Sequence, residues 1–259
     1  MPLVELEIKN KIATVTLNRE DVHNAFNEEM IIDLTKIFSD LDKDEKVRVI
    51  ILRAKGKSFC AGGDLNWMKS MLGYSYEENI ADTKKLGKMF TTIDECSKPV
   101  IGRIQGTAIG GGVGLVSVCD VACAIDTALF SLSEVKLGLL PAVIAPFVLK
   151  RIIPGEARRY FLTSERFSAI DARRIGLISE VVSSYDLMDR RINEWTESIC
   201  KGGPEAVSLC KKMIHEVPKM DLAKSIDEMA KQLADRRVSK EGQEGMKAFF
   251  EKRDPKWTQ

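Results

Sequence analysis

The amino-acid sequence predicts an α/β protein, with short strands and helices alternating in its first part and helices dominating the rest. Three observations carry this expectation. Compact β-branched runs such as Val47–Leu52 and Val100–Ile104 have the length and composition of strands buried on both faces. Each is followed by a glycine-rich turn, Ser58–Leu65 and Gly106–Gly114. Segments with apolar residues at helical spacing come next, and this strand–turn–helix rhythm belongs to α/β folds.

In chain order, Val4–Ile8 and Ile12–Leu17 flank Lys9-Asn10-Lys11 and read as a β-hairpin. Asn24 or Asn27 is positioned to cap a helix reaching about Leu41, whose apolar positions are Met30, Ile31, Leu34, Ile37, Phe38 and Leu41. Val47–Leu52 follows as a strand, behind a charged loop over Asp42–Arg48. Tyr74 to Asp94 reads as a helix, Val100–Ile104 as a strand and Val113–Cys119 as an apolar helix. Asp120–Ile125 is a further strand, with Asp120 in a structural role. From Pro154 onward the pattern is helical: Gly155–Thr163, Ala169–Gly176, Asp186–Cys200, Pro204–Glu216, Asp221–Ser239 and Gly245–Lys252.

The 259 residues can bury a substantial core without disulfides or metal. With 39 Lys and Arg against 38 Asp and Glu, nothing in the charge argues for a nucleic-acid partner, and a small basic site for a phosphate-bearing ligand stays open. Cys60, Cys96, Cys119, Cys123, Cys200 and Cys210 form no C-x-x-C pair and mostly sit in apolar stretches, so reduced thiols in a reducing compartment are expected. Met1–Glu7 lacks the basic and apolar regions of a signal peptide. No apolar run reaches the roughly 20 residues that span a bilayer. A soluble, cytoplasmic protein is expected.

Several chemistries are disfavoured. There is no G-x-S-x-G elbow, and the two histidines, His23 and His215, belong to no metal-binding pattern. The second glycine turn fits neither G-x-G-x-x-G nor a phosphate-binding loop with G-K-[ST]. What remains is backbone donors plus a carboxylate. Two glycine turns, each leaving a strand, can aim main-chain N–H groups at one point, as an oxyanion requires. Glu134 lies in the apolar segment between Leu132 and Leu137, where burial would raise its pKa into the acid–base range.

Ser58–Leu65, Gly106–Gly114, Phe130–Pro141, Glu244–Arg253 and the Leu17-Asn-Arg…Asn24-Ala25 segment together resemble the crotonase (enoyl-CoA hydratase/isomerase) superfamily over essentially the whole chain. The resemblance implies a spiral of ββα units over residues 1–195, with a helical trimerisation region over 196–259 packing on the core and on neighbouring subunits. It implies a homotrimer or a hexamer made of two trimers, an acyl-CoA thioester as substrate, and no cofactor or metal beyond the CoA that the substrate carries. By motif position, the N–H groups of Gly63 and Gly111 form the oxyanion hole and Glu134 is a catalytic acid–base.

The family's hydratases carry a further glutamate three residues after the second hole glycine, and here that position is Gly114. One carboxylate remains, compatible with hydration or with double-bond isomerisation. The segments Gly63–Met71, Ser133–Ala142 and Arg158–Thr163 look like bacterial 3-methylglutaconyl-CoA hydratases, which places hydration first. The RNA-binding role of some animal relatives depends on a lysine-rich early helix that Asn27–Lys36 does not provide.

Around the hole, Trp67, Met68 and Met71 read either as acyl-pocket lining or as core. Asp64 reads as a helix cap before a substrate contact. Ala61, Leu65, Gly110 and Leu137 are further expected substrate contacts by position. Lys55 and Lys57 are candidates for CoA phosphates, against the alternative of solvated lysines. Phe249, Phe250 and Lys252 resemble the segment that completes a neighbouring subunit's CoA site.

Overall fold

In a computed structural model, residues 1–258 are described. The chain begins with β1 (Val4–Lys9) and β2 (Ile12–Leu17), an antiparallel hairpin. Its turn residues Asn10 and Lys11 both have positive φ, 51° and 67°. That pair is the backbone signature of a turn matching strand twist. Helix α1 (Glu28–Lys43) starts at Asn27, whose side chain accepts the Met30 N–H at 3.0 Å. It buries Met30, Ile31, Leu34, Phe38 and Leu41. Asn24, the other candidate cap, is instead fully buried at φ 55° and serves a different purpose described below.

Strand β3 (Val49–Ala54) begins two residues later than Val47–Leu52, because Val47 N–H closes a turn onto Asp44 O at 3.1 Å. Then come β4 (Ser58–Cys60), α2 (Leu65–Ser70), α3 (Tyr76–Asp94), β5 (Val100–Ile104), β6 (Thr107–Ile109), α4 (Gly111–Ser117), β7 (Val121–Ile125) and β8 (Leu129–Ser131). A 3-10 turn over Glu134–Leu137 follows β8. The rest is α5 (Ala145–Arg151), α6 (Pro154–Thr163), β9 (Phe167–Ser168), α7 (Ala169–Arg174), β10 (Glu180–Val182), α8 (Tyr185–Lys201), α9 (Pro204–Glu216), α10 (Leu222–Val238) and α11 (Lys240–Phe250).

Two sheets organise these elements. One has the order β1-β2-β3-β5-β7-β10 and is parallel from β2 onward. The other is β4-β6-β8-β9, with β4, β6 and β8 parallel and β9 antiparallel to β8. Each strand β3, β5 and β7 of the first sheet is followed directly by one of the second, β4, β6 and β8, and then by helix. These are the ββα units of a spiral, stacked so that equivalent turns fall side by side. Strands β4 and β6 fall inside the two segments that the sequence marks as glycine-rich turns, and β8 falls just after Asp120–Ile125; strands of three residues are too short to show a period.

The core lies between the sheets and helices and includes Val15, Leu34, Ile50, Phe59, Phe90, Ile101, Leu115 and Phe130, all fully buried. Helix α9 is tied to this core by Lys211, whose ammonium donates to Asp120 at 2.7 Å and to Lys98 O at 3.2 Å. Asp120 also accepts the Val100 N–H, the structural role expected of it. Glu241 of α11 in turn caps α9 by accepting the N–H groups of Glu205 and Ala206 at 2.9 and 2.8 Å.

Cys60, Cys96, Cys119 and Cys123 are buried free thiols, and desolvation pushes Cys60 and Cys119 up to about 12. Among the described residues, no helix is long and apolar enough to cross a membrane and no three side chains group as metal ligands.

Candidate active site

The first glycine turn is held from behind by two buried amides. Asn24 Nδ2 donates to Lys55 O and Ser58 O, both at 2.8 Å, while its Oδ1 accepts the Arg19 N–H. Gln105 Nε2 donates to the same Ser58 O at 3.0 Å. Buried amide donors of this kind fix a backbone more firmly than apolar packing, because each lost bond leaves a desolvated group unpaired; Asn24 is engaged at both ends, whereas Gln105 Oε1 has no partner among the described residues. Strand β4 is therefore clamped from the N-terminal segment and from the second turn at once.

Beyond β4, the Phe26 N–H donates to Gly62 O and the Asp64 N–H donates to Phe26 O, both at 2.7 Å. This is an isolated parallel bridge between Phe26 and Gly63. In such a bridge the two neighbours of the central residue make the bonds, and its own N–H faces the other way. No backbone hydrogen bond among the described residues uses the Gly63 N–H or the Gly111 N–H.

The second turn packs directly against the first. A Cβ built on Gly62 would lie 3.7 Å from Gly111 N, and one built on Gly112 would lie 2.2 Å from Cys60 O. Only glycine allows that second approach. Gly110 holds φ +53°, a conformation that favours glycine, with its N–H on Ser131 O at 2.8 Å.

Glu134 projects from the start of the 3-10 turn after β8. A Cβ on Gly110 would sit 2.9 Å from Glu134 Oε1 and 3.4 Å from its Cδ, so the carboxyl lies directly on the second glycine turn. Its Oε2 is buried without a hydrogen-bond partner. Burial pushes the pKa above the ordinary carboxylate value, offset in part by the residue's own backbone N–H. A half-buried carboxyl with a bare oxygen is suited to carrying a proton and poorly suited to structural work.

Position 114 has no room for a side chain as the core is packed. A Cβ on Gly114 would fall 2.3 Å from Ile144 Cγ2 and 2.9 Å from Phe90 Cε1. The space a side chain at this position would enter is filled with hydrocarbon.

The other expected site residues divide. Asp64 is buried; its Oδ1 accepts the Asn66 and Trp67 N–H groups at 2.8 and 3.2 Å, capping α2, and its Oδ2 pairs with Arg19 at 2.9 Å. Burial alone would raise this carboxyl, but the Arg19 guanidinium and the two N–H donors hold it below its usual value. Both of its oxygens are thus engaged by the protein, in line with the capping reading. Met68 and Trp67 pack against Gly63, with Met68 Sδ 3.3 Å and Trp67 Cε3 3.8 Å from a Cβ built there. Ala61 and Met71 are half-buried, whereas Leu65 and Leu137 are exposed and free to meet a ligand. Lys57 is exposed, while Lys55 is paired with Glu5 at 2.6 Å. Phe249 and Phe250 are exposed at the end of α11.

A cavity of about 590 Å³ opens beside Arg19, Asn27, Asp64 and Trp67, but neither Glu134 nor a glycine of the second turn lines it. It is separate from the place where the Glu134 carboxyl lies on the second glycine turn.

Sequence reasoning missed Phe26, Phe90, Ile144 and Gln105. Helical periodicity marks a residue such as Phe90 as core, yet carries no information on which glycine it will meet.

Comparison with known proteins gives the chain's family. The model of the enoyl-CoA hydratase/isomerase family matches residues 7–259. The chain is 31% identical over 256 residues to a short-chain-enoyl-CoA hydratase of Clostridium acetobutylicum, covering 96% of this chain and 95% of that one. It is 30% identical to a peroxisomal Delta(3,5)-Delta(2,4)-dienoyl-CoA isomerase of Arabidopsis thaliana, over 99% of this chain and 96% of that one. Among solved structures, an enoyl-CoA hydratase from Shewanella pealeana superposes with a TM-score of 0.95 at 36% identity, covering 98% and 96% of the two chains. Free glycine donors, a carboxyl laid on the second turn and a ββα spiral thus coincide with sequence kinship along the whole chain, which belongs to the enoyl-CoA hydratase/isomerase family.

Proposed function

We propose that this protein adds water across the 2,3-double bond of a short or branched enoyl-CoA, with 3-methylglutaconyl-CoA as the first candidate. The observation that carries the reading is the Glu134 carboxyl, bare at Oε2 and resting on Gly110 beside the unengaged Gly63 and Gly111 N–H groups. In this mechanism the two N–H groups hold the thioester oxygen. As the water oxygen bonds to C3, the C2=C3 π electrons shift to C1–C2 and the carbonyl π pair moves onto the thioester oxygen as an enolate, while the Glu134 carboxylate takes the proton that water loses. The enolate then collapses, C2 takes the proton from Glu134, and the carboxylate is restored. Each well-placed donor to the developing oxyanion lowers the barrier by about 3 kcal/mol. No metal or separate cofactor takes part. The local segments around Gly63–Met71 and Ser133–Ala142 support the branched acyl group.

Glu134→Gln is expected to lower turnover by about 10²–10⁴-fold while binding of a saturated acyl-CoA stays within about threefold. Near-normal turnover in this variant would overturn the assignment. Assays with 3-methylglutaconyl-CoA, crotonyl-CoA and a 3-enoyl-CoA separate the substrate classes. A specific observation favours a second reading, isomerisation: with Phe90 and Ile144 filling the space at Gly114, a single carboxylate serves the site. One carboxylate is sufficient to move a proton between C2 and C4, and one relative is named as an isomerase. A migrated double bond in place of a 3-hydroxyacyl product identifies that case. Tight acyl-CoA binding without turnover on the whole panel would point to a binding protein. The proposed assembly is a homotrimer or hexamer in which residues 196–259 meet neighbouring subunits, in a reducing, cytoplasmic compartment suited to the buried thiols.

A further inference from the structure

The two oxyanion donors sit on turns that are far apart in sequence, and Phe26 touches both. Its backbone N–H and C=O form the bridge that brackets Gly63. Its ring lies on the other donor's residue, with Cε2 and Cδ2 2.8 and 3.1 Å from where a Cβ on Gly111 would stand. The ring is itself held: Phe90 meets it edge to face at 6.1 Å and 85°, and Phe147 backs Phe90 at 5.9 Å and 39°. Phe26 is buried, so no solvent gap lets it tilt. Close-packed aromatic rings transmit position because interiors compress little.

We propose that Phe26 is the spacer that sets the separation and aim of the Gly63 and Gly111 N–H groups, a positioning residue for the reaction although it carries no polar side-chain atom. The proposal rests on the reading of those two groups as the oxyanion hole. Replacement by leucine leaves the bridge to Gly62 and Asp64 intact, since it uses backbone atoms alone. It removes the flat wedge beneath Gly111, and the second turn settles into the space. A donor displaced by about 1 Å from the developing charge costs on the order of 10²-fold in rate.

The test separates donor geometry from water handling and from stability. Acetoacetyl-CoA, whose enolate absorbs in the near ultraviolet, is titrated across pH when bound to wild type, Phe26→Leu, Phe26→Met and the control Phe38→Leu. Phe38 is another fully buried phenylalanine, on α1. Wild type is expected to lower the ligand's apparent pKa, and both Phe26 variants to return it by about one unit, a tenfold weaker hold on the enolate. With the turnover substrate, kcat is expected to fall at least about tenfold with KM within about threefold. Phe38→Leu is expected to melt lower than wild type with an unchanged enolate titration.

Wild-type enolate stabilisation that persists in both Phe26 variants overturns the spacer proposal alone. Absence of enolate stabilisation in wild type overturns the oxyanion-hole reading, and the spacer with it. Failure of both Phe26 variants to fold under conditions where Phe38→Leu folds assigns Phe26 to stability and likewise overturns the proposal.

Discussion

At Glu134 and Asp64 the same chemical group is put to opposite uses by its surroundings. Asp64 receives a guanidinium and two N–H donors and stays ionised below its usual pKa. Glu134 is desolvated and unpaired at Oε2, and its pKa rises. The rise has a consequence for stability whose sign is opposite to that of an ordinary paired carboxylate. Below the unfolded value of 4.5, both states hold the proton and Glu134 costs the fold nothing. As pH climbs through the raised folded value, the folded state is forced to carry a charge it disfavours, and stability is lost. Glu134→Gln is therefore expected to melt higher than wild type at neutral pH, with the difference vanishing below about pH 4. Thermal unfolding of both proteins at the two pH values checks this, and a gain equal at both would place the effect outside ionisation.

Among elements, α9 is anchored to the core sheet through one nearly buried lysine. Lys211 is nearly buried, and its ammonium satisfies both Asp120 and Lys98 O. Lys211→Met would leave the Asp120 carboxylate with Val100 N–H as its remaining donor. Because Asp120 retains some contact with solvent, a loss of about 1–3 kcal/mol is expected, less than for a fully buried pair. Urea unfolding measures it. This anchor also shows where sequence reading stops. Helices α1, α3, α6, α8 and α9 were legible because periodicity over two or more turns outlasts local noise and caps such as Asn27 mark their ends. The hairpin and β5 were legible from composition. Strands β4, β6, β8 and β9 were not, since two or three residues carry no period and their pairing depends on distant partners. For the site, glycine clusters and an isolated glutamate are chemically conspicuous in a sequence. Phe26, Phe90 and Ile144 are ordinary apolar residues until the fold shows which glycine each one touches, and the choice between Asn24 and Asn27 as cap required knowing that Asn24 is spent on Lys55 and Ser58.

Across the whole molecule, the sheets and their helices bury a continuous core, whereas α9, α10 and α11 leave Ile214, Leu222, Ile226, Val238, Phe249 and Phe250 exposed. Large apolar surfaces of this kind mark contact faces more often than free ones. With the proposed assembly, sedimentation velocity is expected to give the mass of three or six protomers. Phe249→Ser combined with Phe250→Ser is expected to move the distribution toward smaller species. A wild-type protein that sediments as a monomer at micromolar concentration would exclude the assembly.

The filled space at Gly114 also has an evolutionary meaning. Glycine and glutamate codons can differ by a single nucleotide, so a second acid is genetically one step away. Structurally it is not, because any side chain there would collide with Ile144 Cγ2 at 2.3 Å and with the Phe90 ring. The Ile144 and Phe90 side chains must shift or shrink to admit one, and a smaller residue at either position, made alone, opens a cavity in the core and costs stability. The packing thus sets the order of change: the hydrocarbon neighbours of position 114 have to give way before a side chain can stand there.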